Sequence, residues 1–318
     1  MPEQYSANGT GQRPKWVPIL GQWDFNSSTV EFLGKGPPAT SQNETFALGL
    51  AISNVPLQNG TCRIHISFTS PFGSENQAAG VVLGFRSPEQ HYIFGQLGAA
   101  RSAFAIGECV SGSTLRPLRT TGDLQNLKPE NSYSLEMRIS GQEIRMLVDE
   151  VPVLEHLLAR PLEGRQVGLI AAANHRIRFS DFEVQRSKPK AFVVMQFAEP
   201  YDTLYKEVIE PRAKERFDVI RIDQRPGPGL IIQDIQREIE QAEIVIAEVT
   251  PANPNVFYEV GYAHALGKPT ILLARRGDQD RLPFDIQPFR VVFYNDTIGG
   301  KGEVERNLRM HLDAIAER

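Results

Sequence analysis

Two carboxylates, Glu248 and Glu259, bracket the stretch of this sequence with the most chemical promise. Glu248 closes the apolar run Ile244-Val245-Ile246-Ala247, which is short and β-branched and so reads as a strand buried on both faces. Asn253 then supplies a helix N-cap and Pro254 the first helical position. Gly267 and Pro269 supply the stop. Glu259 therefore lies in the early turns of a helix that begins at the carboxyl end of a parallel strand, where ligands sit in open α/β sheets. The helix dipole is expected to keep a carboxylate there ionised, and an ionised carboxylate suits a nucleophile or a stabiliser of an oxocarbenium-like sugar. The same dipole favours a glutamate at this place whatever its function. The neighbourhood adds weight: Tyr258 precedes it, and Tyr262, one turn on, can share its face.

The elements around this helix read as alternating strands and helices. Ala191 to Phe197 is an apolar strand, Leu204 to Arg216 has helical spacing, and Asp218 to Ile222 is a second strand. Leu230 to Ala242 is a helix with Ile231, Ile235 and Ile239 four residues apart. Strands at Thr270–Ala274 and Arg290–Tyr294 and a last helix from about Gly302 to Glu317 complete the pattern. Five strands alternating with helices predict a doubly wound, flavodoxin-like parallel sheet in the order 2-1-3-4-5. In that order the loops leaving the first and third strands diverge and open a crevice.

Those loops supply the other candidates for substrate binding. Gln196 and Phe197 lie in the first, and Glu248, Thr250 and Asn255 in the third. Phe197 and Phe257 suit stacking on a base or, equally, the core. Asn255 could hold Glu259 or a substrate, although capping is the commoner task. Asp223 leaves the second strand at the same edge and fits a ribose hydroxyl or a salt bridge to Arg221 or Arg225. Gly229 ends Pro226-Gly227-Pro228-Gly229 before a helix start, where amide groups could face a phosphate or simply make turns. His264 reads as a packed or solvent-touching histidine. There is no Ser-His-Asp set, no metal-ligand spacing and no Walker-type loop.

Residues 1–17 read as a flexible leader, and residues 18–185 as an all-β region. Cys62, Ile64, Ile66 and Phe68 alternate with Arg63, His65, Ser67 and Thr69, as in a half-buried strand. Tyr133, Leu135, Met137 and Ile139 do the same, and Gly141-Gln142 turns the chain back through Ile144, Met146 and Val148. Many short strands with Gly, Pro and Asn punctuation predict a sandwich. Residues 186–190 are a polar hinge, and the α/β domain spans 191–318.

Two resemblances sharpen this layout. The order of strands ending Leu147-Val148-Asp149-Glu150, Gly164-Arg165-Gln166-Val167-Gly168-Leu169 and Ile177-Arg178-Phe179-Ser180-Asp181-Phe182 resembles the concanavalin-like (laminin-G-like) jelly rolls. That resemblance implies a module for assembly or for binding a carbohydrate or protein ligand. The run from Gly229-Leu230-Ile231-Ile232-Gln233-Asp234-Ile235 to Asn253-Pro254-Asn255-Val256-Phe257-Tyr258-Glu259-Val260-Gly261-Tyr262 and on to Gly267-Lys268-Pro269 resembles the bacterial TIR-like group related to nucleoside 2-deoxyribosyltransferases, as does Pro283-Phe284-Asp285-Ile286. It implies chemistry at an N-glycosidic bond, with NAD or another nucleotide as substrate, no cofactor, and Glu259 as the matching carboxylate. Relatives usually carry aspartate where this chain has Glu248, a difference of one methylene that alters a ribose contact.

These resemblances lead to an expected NAD or nucleotide N-glycosidase of the sensor-effector kind found in bacterial antiviral defence, completed by assembly into a homo-oligomer. A nucleoside 2-deoxyribosyltransferase and a non-catalytic nucleotide receptor are the rival readings. The composition bounds the setting. With 34 Lys and Arg against 38 Asp and Glu, the slightly acidic chain is a poor match for nonspecific nucleic-acid or anionic-membrane binding. No apolar run is long enough to cross a bilayer, and Met1 to Pro14 lacks the order of a secretion signal. Two cysteines, Cys62 and Cys109, make no disulfide framework and are expected as buried thiols, so the expected compartment is the cytoplasm.

Overall fold

The computed structural model describes residues 4–6, 12–34, 47–69, 77–87, 89, 91–99, 102–110, 114–129, 131–222, 231–277, 282, 286, 289 and 291–316. The chain divides into two compact units, one formed by Met1–Ile139, Glu143–Leu158 and Leu162–Ser187, the other chiefly by Lys188–Arg318.

The first unit is built from β1 (Gln4–Ser6), β2 (Trp16–Leu20), β3 (Trp23–Phe25), β4 (Thr29–Phe32), β5 (Ala47–Pro56), β6 (Gly60–Phe68), β7 (Ala78–Phe85), β8 (Tyr92–Ala99), β9 (Ser102–Val110), β10 (Thr114–Asp123), β11 (Ser132–Ser140), β12 (Glu143–Val148), β13 (Val151–Leu157), β14 (Gln166–Ala173) and β15 (Ile177–Arg186). They make two antiparallel sheets, β13-β12-β11-β6-β15-β4-β3 with β1 also on β15, and β10-β9-β8-β7-β14-β5-β2. This is the sandwich expected from the alternation, with the jelly-roll layout that the resemblance implies. Ile64, Ile66, Leu135 and Met137 of one sheet meet Val81, Leu83, Ile93 and Leu169 of the other in a single core. The turn from β12 to β13 is made by Asp149 and Glu150, both at positive φ (48° and 67°), the hand that matches strand twist. Asp149 Oδ1 accepts the Ser134 amide at 2.8 Å, which holds a non-glycine residue in that conformation.

The stretch read as a leader differs from expectation, because it contributes strands. Gln4–Ser6 pairs with Glu183–Gln185, and Trp16 opens β2 by pairing with Ser53. For β1 the polar run Gln4-Tyr5-Ser6 concealed this. Cys62 and Cys109 are buried and free, as expected, and burial pushes the Cys62 thiol up.

The second unit carries β16 (Lys190–Val194), α1 (Tyr201–Leu204), a π-wound turn Tyr205–Ile209, α2 (Glu210–Ala213), β17 (Asp218–Arg221), α3 (Ile231–Gln241), β18 (Ile244–Glu248), α4 (Pro254–Ala265), β19 (Thr270–Arg275), β20 (Val291–Tyr294) and α5 (Ile298–Ala316). Its sheet is parallel, in the order β17-β16-β18-β19-β20, the predicted 2-1-3-4-5. Period-2 alternation sends Ile244 and Ile246 to one face, with Tyr205, Val208, Val304 and Leu308. Val245, Ala247 and Val249 go to the other, with Ile239, Val256, Val260 and Ala263. The expected helix from Leu204 to Arg216 is broken into three windings. Pro211 lacks an amide and its ring crowds the carbonyl four residues back, and the π turn directly before α2 gives the chain room. Among the described residues no helix is long and apolar enough to cross a membrane.

Candidate functional site

The carboxyl edge of the parallel sheet collects most of the candidate residues. β16 ends at Val194, shorter than the strand expected to reach Phe197, because its pairing with β18 stops at Val194–Ala247. The chain leaves the sheet there, so Gln196 is half-buried and Phe197 is 49% exposed at the edge. The Phe197 ring is held from within the protein. The guanidinium of Arg221, at the end of β17, lies 5.3 Å from its centroid and 4.2 Å from that of Tyr205. Arg221 Nη1 in turn donates to Asp202 Oδ1 at 2.8 Å. Phe197 thus presents an aromatic surface to solvent with its position set by a buried cation. The sequence offered Asp223 for a ribose hydroxyl or for a salt bridge to Arg221 or Arg225, and Asp223 lies outside the described residues. The strand order, which sets β17 beside β16, was the signal that a residue beyond β16 could reach Arg221 as well.

Glu248 and Thr250 form a different assembly. Glu248 is 2% exposed, and its carboxylate accepts the Thr250 amide at 3.0 Å, the Thr250 hydroxyl at 2.5 Å and the Tyr294 hydroxyl at 3.1 Å. The Thr250 hydroxyl oxygen also accepts the Arg275 amide at 3.0 Å. Together these bonds tie the ends of β18, β19 and β20. Burial pushes the Glu248 carboxyl up to about 7, with the Thr250 and Tyr294 hydrogen bonds opposing. Glu248 falls on the sheet face that carries Tyr294, whereas α4 packs on the opposite face. Glu248 and Thr250 are thus committed to a network with Tyr294 and Arg275.

Glu259 sits on α4, whose start and stop follow the sequence expectation. Asn253 Oδ1 accepts the Asn255 amide at 2.9 Å, Pro254 opens the helix, and Gly267 lies beyond its end at φ 69°. Asn255 itself is exposed in the first turn. Val256, Val260 and Ala263 are the buried stripe, and Phe257 packs against the same core. Tyr258 and Tyr262 reach α3: the Tyr258 hydroxyl accepts Gln236 Nε2 at 2.9 Å, and the Tyr262 hydroxyl donates to Glu240 Oε1 at 2.5 Å. Helical spacing puts Glu259 between those tyrosines and the buried stripe. It is half-buried and has no hydrogen-bond or ion-pair partner among the described residues. Burial alone pushes its carboxyl up to about 7. Desolvation thus works against the helix dipole, which the sequence reading expects to keep the group ionised.

Two neighbours are structural. His264 stacks on Phe289, centroids 4.1 Å apart and planes at 21°, and burial lowers its pKa. Lys268, of the Gly-Lys-Pro block, is 5% exposed, and its Nζ donates to the Glu240 and Ala242 carbonyls at 2.6 and 2.7 Å, closing the carboxyl end of α3. Burial lowers it to about 8. Lys268→Met is expected to cost about 1–3 kcal/mol through the unsatisfied carbonyls. The parent should also gain stability as pH rises from 8 toward 10.5, where only the unfolded chain still binds the proton, and the variant should not. Urea titrations at pH 7.5 and 9.5 measure both effects. Asp223, Gly229 and Pro283-Phe284-Asp285 lie outside the described residues.

No protein-family model and no curated protein sequence matches the chain. Among solved structures, a carbohydrate binding module, CBM66, from Bacillus subtilis is similar at 11% identity and TM-score 0.37, covering 54% of this chain and 92% of its own. A prokaryotic β-1,3-1,4-glucanase (lichenase) derived from a mouse hindgut metagenome is similar at 9% identity and TM-score 0.42, covering 57% and 98%. The laminarinase catalytic domain from Thermotoga maritima is similar at 10% identity and TM-score 0.39, covering 54% and 91%. The site is accordingly read from this chain's own residues.

Proposed function

We propose that the α/β unit is an N-glycosidase acting on NAD or a related nucleotide, with Glu259 as the essential carboxylate. The observation that carries this reading is the state of that side chain. It is a half-buried acid early in the helix that follows the central strand β18, with no partner among the described residues and a pKa raised to about 7 by desolvation. The fully buried Glu248 of the same unit is, by contrast, hydrogen-bonded. The resemblance of the Asn253 to Pro269 run to TIR-like and deoxyribosyltransferase proteins supports the same assignment.

The chemistry suits such a group. When the C1′–N bond of NAD breaks, its electron pair leaves with the nicotinamide nitrogen, which becomes neutral and needs no proton. Positive charge develops on the ribose ring, where a desolvated carboxylate stabilises it or bonds to C1′. Water then supplies the anomeric hydroxyl and releases one proton, giving ADP-ribose and nicotinamide. A cationic pyridinium ribose also favours the ionised form of Glu259 on binding. Phe197, with Arg221 behind it, offers a face for a base, and Gln196, Asn255 and Tyr258 are the polar contacts at hand.

In this reading the sandwich recognises a carbohydrate or protein ligand, and the pair works as sensor and effector in a homo-oligomer of bacterial defence type. Incubation with NAD tests the enzymatic claim, with nicotinamide release from the parent and its loss in Glu259→Gln as the expected result. Base exchange between deoxynucleosides points instead to a transferase. Tight nucleotide binding without turnover, indifferent to the substitution, points to a receptor.

A further inference from the structure

The sandwich holds a cavity of about 310 Å³ that the sheet pattern alone does not require. It lies where β2 begins, against the turn from β3 to β4 and the middle of β15. An irregularity in β15 shapes one wall of it. The pairing of β15 with β6 shifts register between Ser180 and Glu183, and Asp181 takes φ 53°. Strict alternation from the buried Phe179 would turn Phe182 outward, but the extra residue turns it in, to 3% exposure. There it meets Trp16 edge-on, with centroids 5.0 Å apart and planes at 72°. Trp16 and Phe25, both half-buried, become aromatic walls.

Much of the polar lining is uncommitted, although the Ser180 hydroxyl donates to Asp181 Oδ2 at 3.0 Å. The two tryptophans of the chain differ in this respect. Trp23 Nε1 donates to the Leu20 carbonyl at 2.8 Å, whereas the Trp16 indole N–H has no partner among the described residues. The same holds for the Asn26 side-chain carboxamide, the Ser28 hydroxyl and the guanidinium of Arg13, all of which line the cavity. Arg13 is the one charged side chain in the lining, and it is exposed. Small-ligand pockets begin at roughly 300 Å³, so the space fits one or two sugar rings.

The geometry points to a binding site for an acidic sugar, a pyranose bearing a carboxylate. Its C–H face rests on Trp16 and Phe25, its hydroxyls take the Trp16 N–H, Asn26 and Ser28, and its carboxylate takes the planar fork of Arg13. This site rests on the reading of the sandwich as a recognition module and names its ligand class; it does not depend on the glycosidase reading, which concerns the other unit.

Trp23→Phe in the full chain leaves Trp16 as the sole tryptophan and its emission as the readout. Titration with D-glucuronate is expected to give a saturable shift, with D-glucose at least about tenfold weaker and the preference abolished by Arg13→Gln. Calorimetric titration of the unsubstituted chain against Arg13→Gln gives the same comparison should Trp23→Phe fold poorly. No saturable binding of either sugar overturns the site, and equal binding of both, unchanged by Arg13→Gln, overturns its charge preference.

Discussion

Glu259→Gln is expected to reduce nicotinamide release from NAD by at least about a thousandfold, the scale on which loss of an essential nucleophile or charge stabiliser acts. Gln keeps the size of the side chain and removes its charge, so the loss should fall on turnover and leave nucleotide binding within about tenfold. The fold should be untouched or slightly firmer. The folded state holds the Glu259 proton up to about pH 7, while the unfolded chain releases it near 4.5. Its contribution to stability is therefore full below 4.5 and lost as pH rises through 7. After allowance for partial exposure, the loss is about 1–2 kcal/mol. The variant escapes that loss, so thermal unfolding at pH 8 should show it at least as stable as the parent while it is inactive. An inactive variant that is also several degrees less stable points to a packing role instead.

The second large effect is expected at Glu248. Removing its carboxylate leaves the Thr250 amide, the Thr250 hydroxyl and the Tyr294 hydroxyl without their acceptor in a site that is 2% exposed. A buried donor without a partner costs about 1–3 kcal/mol, and truncation adds a cavity, so Glu248→Ala should destabilise the α/β unit by about 3–5 kcal/mol. Glu248→Gln retains one acceptor oxygen and should lose about half as much. All the α-helices described belong to this unit, so ellipticity at 222 nm during urea unfolding isolates its transition. A change below 1 kcal/mol for the alanine variant contradicts the assigned network. A parent-like midpoint with lost turnover returns Glu248 to the substrate.

The contrast between these two glutamates shows what local sequence can convey. The β-branched run before Glu248, Asn253-Pro254 at the helix start and Gly267 at its end act on their own backbone, so strand, helix and sheet order were legible. The direction of Glu248 depends on Tyr294, brought to it by the last strand pairing and invisible to any window around β18. Arg221 likewise finds Asp202 through the adjacency of β17 and β16. The inward turn of Phe182 depends on a slip in register against β6, which no alternation pattern contains. The desolvation of Glu259 was hidden for a related reason: the dipole follows from position along the helix, but desolvation follows from what packs around it.

The most direct test of the central claim is the pH dependence of kcat/KM for nicotinamide release by the full chain between pH 5 and 9, with Glu259→Gln beside it. That ratio reports groups of the free enzyme. A catalytic Glu259 predicts a rate that rises with pH through about 7 and then levels, as the desolvated acid becomes the carboxylate that faces the sugar, and no such limb in the variant. A profile flat across neutrality, or release by the variant at the parent's rate, contradicts it.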